Sequence, residues 1–284
     1  MPREIGRHII RLDKVDSTNS YLKKNTELTK EHGLVVITKM QTSGRGRLGR
    51  KFTSIQNGNV TFSVILHPNL PIEKFQLYSL LAGIVVSRVL EKYIDRVTLK
   101  WPNDVLVRGK KICGILIESI KNYDNNQSCL ILGIGLNTKG FVRDYPSELE
   151  NIITTLEEEM FRDINEFHYS NAFPNIENEK IFQEILEELE QCLEIYTDYS
   201  GTDNIIRKKR LHHKLILQEW LVRSKAVGSK IKFKKNISSK TNNSIDIGII
   251  EGLSNEGFLK IRTESGQLIT AMSGEIIEFT KDTK

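Results

Sequence analysis

An α+β fold, a mixed β-sheet with packed helices followed by a small all-β barrel, is what the sequence predicts. Three observations predict it: strand and helix periods are interleaved through most of the chain, a run of hairpin strands occupies its middle, and the pattern changes near Val227 to short strands alone. At 284 residues the chain exceeds one ordinary domain, so a larger domain at 1–226 and a barrel domain at 227–284 are expected.

The elements follow in order. Gly33 to Gln41, GLVVITKMQ, is a β-branched strand running into a glycine- and arginine-rich loop, and NVTFSVILH from Asn59 to His67 alternates as a second strand. Phe75, Leu77, Leu80, Leu81, Ile84, Val85, Val89 and Leu90 recur at helical spacing, which predicts a long helix between Pro71 and Asp95 packed on that sheet. VTLKW, DVLVRG, KICGILIES and SCLILGIGLN continue the sheet as hairpins. Helical patterning returns at Ser147 to Glu158, Glu179 to Tyr196 and Asn204 to Leu221. KIKFKK, DIGIIEGL, GFLKIR, LITAM and EIIEF then form the barrel, beginning near Gly228. The asparagine-rich segments NYDNNQ at Asn122, SNAFPNIENE at Ser170 and NISSKTNNS at Asn236 read as solvated loop insertions.

No apolar run is long enough to cross a bilayer, so no membrane span is expected. A net charge of +5 is modest for this size and suits nucleotide-like anions as readily as nucleic acid. Cys113, Cys129 and Cys192 are odd in number and lack the paired spacing of a zinc site, which predicts reduced thiols, no disulfide and no structural metal. The opening MPREIGRHIIRLDKVDS resembles no secretory signal, and the cytoplasm is the expected compartment.

Five segments carry chemistry. In SGRGRLGRKF, Ser43 to Phe52, Gly44, Gly46 and Gly49 alternate with Arg45, Arg47 and Arg50. Glycines let backbone amides approach an anion, and guanidinium forks grip phosphate or carboxylate oxygens, so an anion-binding loop is expected. Its spacing is not that of a Walker loop, and a solvated basic turn or an RNA-contacting loop is the plainer alternative. KWPNDVLV presents Asn103 and Asp104 at a turn after Trp101 and Pro102. KKICGILIE is a strand with two lysines, Lys110 and Lys111, at its mouth, and GIGLN ends a strand in glycines and Asn137. DSTNSYLKK sets Asp16, Ser17, Thr18 and Asn19 ahead of a helical segment, where an N-cap is the plain reading.

Taken in this order and spacing, the five segments resemble the catalytic domain of the biotin protein ligases, over about Asp16 to Asn137. The C-terminal strands are more weakly similar to that family's SH3-like domain. The resemblance implies a catalytic domain of the class II aminoacyl-tRNA synthetase type. It implies an enzyme that activates biotin with ATP and magnesium to biotinyl-AMP, then passes biotin to a lysine of a carboxylase's biotin-carrier domain. By the same resemblance, Ser17, Thr18, Asn19 and Gln41 bind the biotin ureido ring and its surroundings, with Trp101 walling the pocket and Gly114 at its edge. Arg45, Gly46, Arg47 and Lys111 meet the biotin carboxylate and adenylate phosphate. Arg50, Asn103 and Asn137 join them around ATP, and Asp104 stands near the acceptor lysine. Arg47, Lys111 and Asp104 are the expected catalytic residues, and Cys113 the expected packing residue. The Ser-Thr-Asn motif begins 16 residues from the start, so the chain is expected to be monofunctional, without a DNA-binding domain, and a monomer or homodimer.

Two rivals remain. A lipoate protein ligase shares the architecture and adenylate chemistry but differs in the arginine loop. A nucleic-acid-binding module would set the arginines on a phosphate backbone, yet the loop lacks interleaved aromatics and the net charge is small.

Overall fold

A computed structural model describes residues 4–68, 70–121, 128–167, 175–200, 208–235 and 245–280. The chain begins with β1 (Ile9–Leu12), a short strand without a clear signature in the sequence, then α1 (Thr18–Lys24) and β2 (Val35–Thr38), with β1 and β2 parallel. Ser17 caps α1 in an extended conformation, its side chain accepting from the Ser20 N–H, as the Asp-Ser-Thr-Asn run predicts. β3 (Asn59–Leu66), α2 (Gln76–Leu90), β4 (Val97–Lys100), β5 (Asp104–Val107), β6 (Lys110–Lys121) and β7 (Ser128–Asn137) follow. They complete a seven-stranded sheet of order β1-β2-β3-β7-β6-β5-β4, antiparallel everywhere except between β1 and β2.

Two of the expected helices fall differently. Ser147 to Glu158 is not one helix: Ser147–Leu149 makes a single helical turn, and the chain then runs beside β6, Thr154 N–H donating to Lys111 O at 2.9 Å, before a helix begins at Leu156. The helix α3 (Leu156–Phe167) starts later because the Thr155 hydroxyl accepts from the Glu158 N–H and so caps it there. After α4 (Asn178–Ile195), β8 (Thr197–Ser200) pairs with β9 (Lys208–Leu211), so part of the expected Asn204 to Leu221 helix is strand and α5 (His213–Ser224) begins beyond it. The asparagine-rich runs at 122–127 and 236–244, and the first half of the one at Ser170, lie outside the described residues.

The alternation expected along β3 is also missing, since all eight of its residues are buried. α1 lies against one face and α4 against the other, so both faces avoid water. α2 is apolar nearly all round rather than on one stripe, because it is enclosed by the sheet, α4 and α5. Its one charged residue, Arg88, donates to Glu188 on α4 at 2.8 Å, to Glu219 on α5 at 2.9 Å and to the Tyr196 hydroxyl at 3.0 Å. A single guanidinium thereby joins three helices.

The C-terminal part is a small SH3-like barrel of five antiparallel strands, β10 (Lys230–Lys235), β11 (Ile245–Leu253), β12 (Leu259–Thr263), β13 (Leu268–Ala271) and β14 (Gly274–Thr280), ordered β13-β12-β11-β10-β14. Ile231, Phe233, Ile250, Leu259, Ile261 and Ile276 fill it. It docks through Trp101, whose indole N–H donates to Gly257 O at 3.0 Å and whose ring meets that of Phe233 at 6.1 Å. Among the described residues no helix is long and apolar enough to cross a membrane.

Burial favours the protonated Glu219 carboxyl, but hydrogen bonds from Arg88, Tyr196 and Arg223 outweigh it and bring the group down from 4.5 to about 2. A carboxyl depressed on folding stabilises above its unfolded value and loses that contribution as pH falls toward the folded one. Glu219→Gln is therefore expected to be less stable near neutrality and to show a shallower loss of stability between pH 4.5 and about 2. Urea unfolding at a series of pH values checks this, and parallel curves for the two proteins would refute it.

Candidate active site

The central strands present two unlike faces. Toward α2 and α4, Val60, Phe62 and Val64 of β3, Leu132, Ile134 and Leu136 of β7, and Cys113 and Ile115 of β6 form the main core. Alternate residues therefore face the other way, toward α1: Thr61 and Ser63, Gly133 and Gly135, Gly114 and Leu116. Pairing aligns Gly114 with Gly135, and Gly133 with both Leu116 and Ser63, so the missing side chains are contiguous. A cavity partly open to solvent stands over these positions.

The glycines of GIGLN give room to this chain's own side chains. A Cβ on Gly133 would lie 2.4 Å from Asn19 Oδ1, and one on Gly135 would lie 2.6 Å from the Phe52 ring. Asn19 thus sits directly on β7, held by Ser63 Oγ at 2.5 Å and by donation to Glu118 Oε2 at 3.0 Å. Gln41 Oε1 accepts from the Thr18 N–H at 2.8 Å, tying the end of the β2 segment to α1.

The arginine loop arches over the cavity. Phe52 N–H donates to Gly44 O at 3.0 Å and Gly46 N–H to Arg50 O at 2.8 Å, while Leu48 and Gly49 turn the tip with φ of 57° and 75°. Arg45 comes within 3.6 Å of Glu118, and Arg50 grips Glu275 of β14 with both terminal nitrogens. Burial draws the Arg47 guanidinium below its ordinary value, with Arg50 adding to the effect and Asp104 opposing it.

Lys111 reaches this face through a break in strand alternation. Val105 pairs with Cys113 but Leu106 with Lys111, leaving Ile112 as an extra residue on β6. Lys111 and Gly114, three residues apart, would otherwise point to opposite faces; the bulge puts the Lys111 ammonium 3.1 Å from where a Gly114 Cβ would lie. There it pairs with Asp104 at 2.5 Å, beside Asn103, whose amide donates to Ile115 O at 2.6 Å.

Ser17, Thr18, Asn19, Gln41, Arg45, Gly46, Arg47, Arg50, Asn103, Asp104, Lys111 and Gly114 all line this one cavity. Two expected residues do not. Trp101 is buried at the barrel interface, because its indole N–H finds a partner in Gly257 O. Asn137 is turned inward, its amide donating to Thr154 O at 3.1 Å and accepting from Asn59 at 2.9 Å. Phe52, Ser63, Glu118, Gly133 and Gly135 were not singled out as site residues. A serine inside NVTFSVIL and a carboxylate inside KICGILIES were the available signals, since strand interiors seldom bury such groups without a purpose.

Residues 12–137 match the biotin/lipoate A/B protein ligase family, and residues 236–277 match the biotin protein ligase C terminal domain. The bifunctional ligase/repressor BirA of Bacillus subtilis is 31% identical over 264 residues, covering 92% of this chain and 71% of that protein. The chain belongs to the biotin/lipoate A/B protein ligase family. Within that family it is also similar to the biotin--[acetyl-CoA-carboxylase] ligase of Mycobacterium tuberculosis, 35% identical over 129 residues, 44% of this chain and 45% of that one. Among solved structures, the biotin protein ligase from Aquifex aeolicus in complex with biotin and ATP is similar with a TM-score of 0.69 at 28% identity, covering 96% of this chain and 98% of that chain.

In this member of the ligase family, Cys113 faces the core side of β6 and burial pushes its thiol up to about 12. Cys129 and Cys192 are buried as well and raised to about 11 and about 12. A thiol reagent at about pH 8 should therefore label the native protein negligibly and label three cysteines after denaturation, because the thiolate is the reactive form. Rapid labelling of native Cys113 would remove its packing role.

Proposed function

We propose that this chain is a biotin protein ligase, and that the cavity over the β6–β7 glycines holds biotin and the adenylate made from it. The supporting observation is the convergence of Arg45, Arg47, Arg50 and Lys111 on one cavity that uncharged hydroxyls and amides also line. A neutral ureido ring needs donors and acceptors in a dry slot, whereas a carboxylate meeting a triphosphate needs cations.

In the first step a biotin carboxylate oxygen attacks the α-phosphorus of ATP, which enters with magnesium, and pyrophosphate leaves. Lys111, Arg45 and Arg47 stabilise the negative charge gathered at the junction, while Arg50 and Asn103 assist around the nucleotide. In the second step the acceptor lysine's amine attacks the acyl carbon and AMP leaves. Asp104 orients the incoming ammonium and accepts its proton. The Asp104–Lys111 pair suits this sequence: a phosphate that draws Lys111 away frees the carboxylate for the amine. The acceptor is the biotin-carrier domain of a carboxylase. We assign the catalytic domain to 1–226 and the barrel to 227–284, and the cytoplasm as compartment, a reading supported by three buried, unpaired thiols.

Pyrophosphate exchange into ATP, run with biotin and with lipoate, tests the reading. Exchange dependent on biotin supports it, and exchange dependent on lipoate alone would transfer the chain to the lipoate ligases. Lys111→Ala should slow biotin-dependent exchange by about 100-fold, the scale of losing one preorganised charge-stabilising group. Unchanged exchange would remove Lys111 from the chemistry. Arg47→Gly should loosen the loop and release biotinyl-AMP, seen as biotin on lysines of a bystander protein, since a free mixed anhydride acylates amines unaided. Labelling as selective as that of the unaltered protein would overturn the closing role.

A further inference from the structure

Glu118 lies behind Asn19 and Arg45, two residues that line the cavity, in a place the ligation chemistry does not use. It is on β6, on the same face as Gly114 and Leu116, with its side chain only 15% exposed. Four groups converge on it: Asn19 Nδ2 at 3.0 Å, Lys23 Nζ at 3.0 Å, Arg45 at 3.6 Å and, through Asn19, the Ser63 hydroxyl. Burial would favour its neutral form, but the hydrogen bonds from Lys23 and Asn19 and the nearby Arg45 charge keep it below the usual carboxylate value. It is therefore an ionised group that only accepts hydrogen bonds.

The consequence passes along a chain of hydrogen-bond partners. An ionised carboxylate accepts only, so the amino end of the Asn19 amide must face Glu118 and the carbonyl end must face Ser63. Ser63 Oγ is 2.5 Å from that carbonyl and 2.6 Å from Thr18 Oγ1, and has one proton for the two. The Asn19 carbonyl cannot donate, so Ser63 gives its proton to Asn19 and takes the Thr18 proton in turn. Thr18 Oγ1 also stands 3.3 Å from Gln41 Oε1, a longer contact that would need the same proton. With its proton directed to Ser63, Thr18 is left offering lone pairs to the cavity it lines.

We propose that Glu118 is a positioning residue for the ligand site: it fixes the Asn19 amide and, through Ser63, makes the Thr18 hydroxyl an acceptor for a ureido N–H. The proposal rests on the cavity being the biotin site. It makes Glu118 the origin of the pocket's donor and acceptor pattern, without contact with the ligand. It also gives the same carboxylate a hold on Arg45 of the loop, so the ureido end and the loop are registered by one group.

Biotin binding by calorimetry to the full chain and to Glu118→Ala, Glu118→Gln, Asn19→Ala and the Glu118→Ala/Asn19→Ala double variant tests it, with a thermal melt of each. Binding to the unaltered protein is the control for the biotin reading; if that fails, the reading of the site fails rather than this inference. Glu118→Ala should weaken biotin binding about tenfold, the effect of one misdirected buried hydrogen bond. Asn19→Ala should then cost little more in the Glu118→Ala background. Glu118→Gln keeps the shape but can turn either end of its amide to Asn19, so it too should weaken binding while melting normally, and it keeps the test open if the alanine variant does not fold. Exchange assays should show the loss in KM for biotin rather than in kcat. Folded Glu118→Gln that binds biotin within about twofold of the unaltered protein, or additive effects of Glu118→Ala and Asn19→Ala, would overturn the proposal.

Discussion

A ligand site in the middle of a sheet that is covered on both faces exists only where side chains have been removed, and the rest of this structure depends on that removal. Gly114, Gly133 and Gly135 clear adjoining positions on β6 and β7, on the face opposite Leu132, Ile134 and Leu136. The filled face carries the main core with α2; the cleared face carries the candidate site. The same strands thus do both jobs by alternation alone, and any shift of register by one residue would exchange them.

The cleared floor would close or flood unless something rigid stood around it. Asn19 and Phe52 occupy the space over Gly133 and Gly135, so α1 and the arginine loop are seated on the strands by shape as well as by hydrogen bonding. The bulge at Ile112 then brings Lys111 onto the cleared face, and the Arg50–Glu275 pair fastens the loop to the barrel. Uncharged hydroxyls and amides and the cations of the arginine loop and β6 line the same cavity.

Much of this was legible beforehand because it depends on local chemistry. The hairpin strands of the middle of the chain, the apolar period of α2 and the cap at Ser17 are written in short-range patterns, and four of the five motifs, with Gln41, supplied the twelve expected residues that line one cavity. What escaped depends on distant partners. Trp101 was expected at the pocket, but its indole finds an acceptor in Gly257, more than 150 positions away. Asn137 looks inward because Thr154 and Asn59 satisfy its amide. The helix expected from Ser147 was displaced because Thr155 caps α3 while Thr154 pairs with β6. Ser63 and Glu118 read as ordinary strand residues until the sheet register set them beneath one asparagine.

The central claim is that one cavity makes the activated acid and delivers it to an acceptor lysine. Its most direct test is mass spectrometry of an isolated biotin-carrier domain incubated with the full chain, biotin, ATP and magnesium. The account predicts a single biotinyl group on one lysine, with AMP and pyrophosphate formed in equal amount. A carrier left unmodified by a folded protein, or one modified at random lysines, would contradict it.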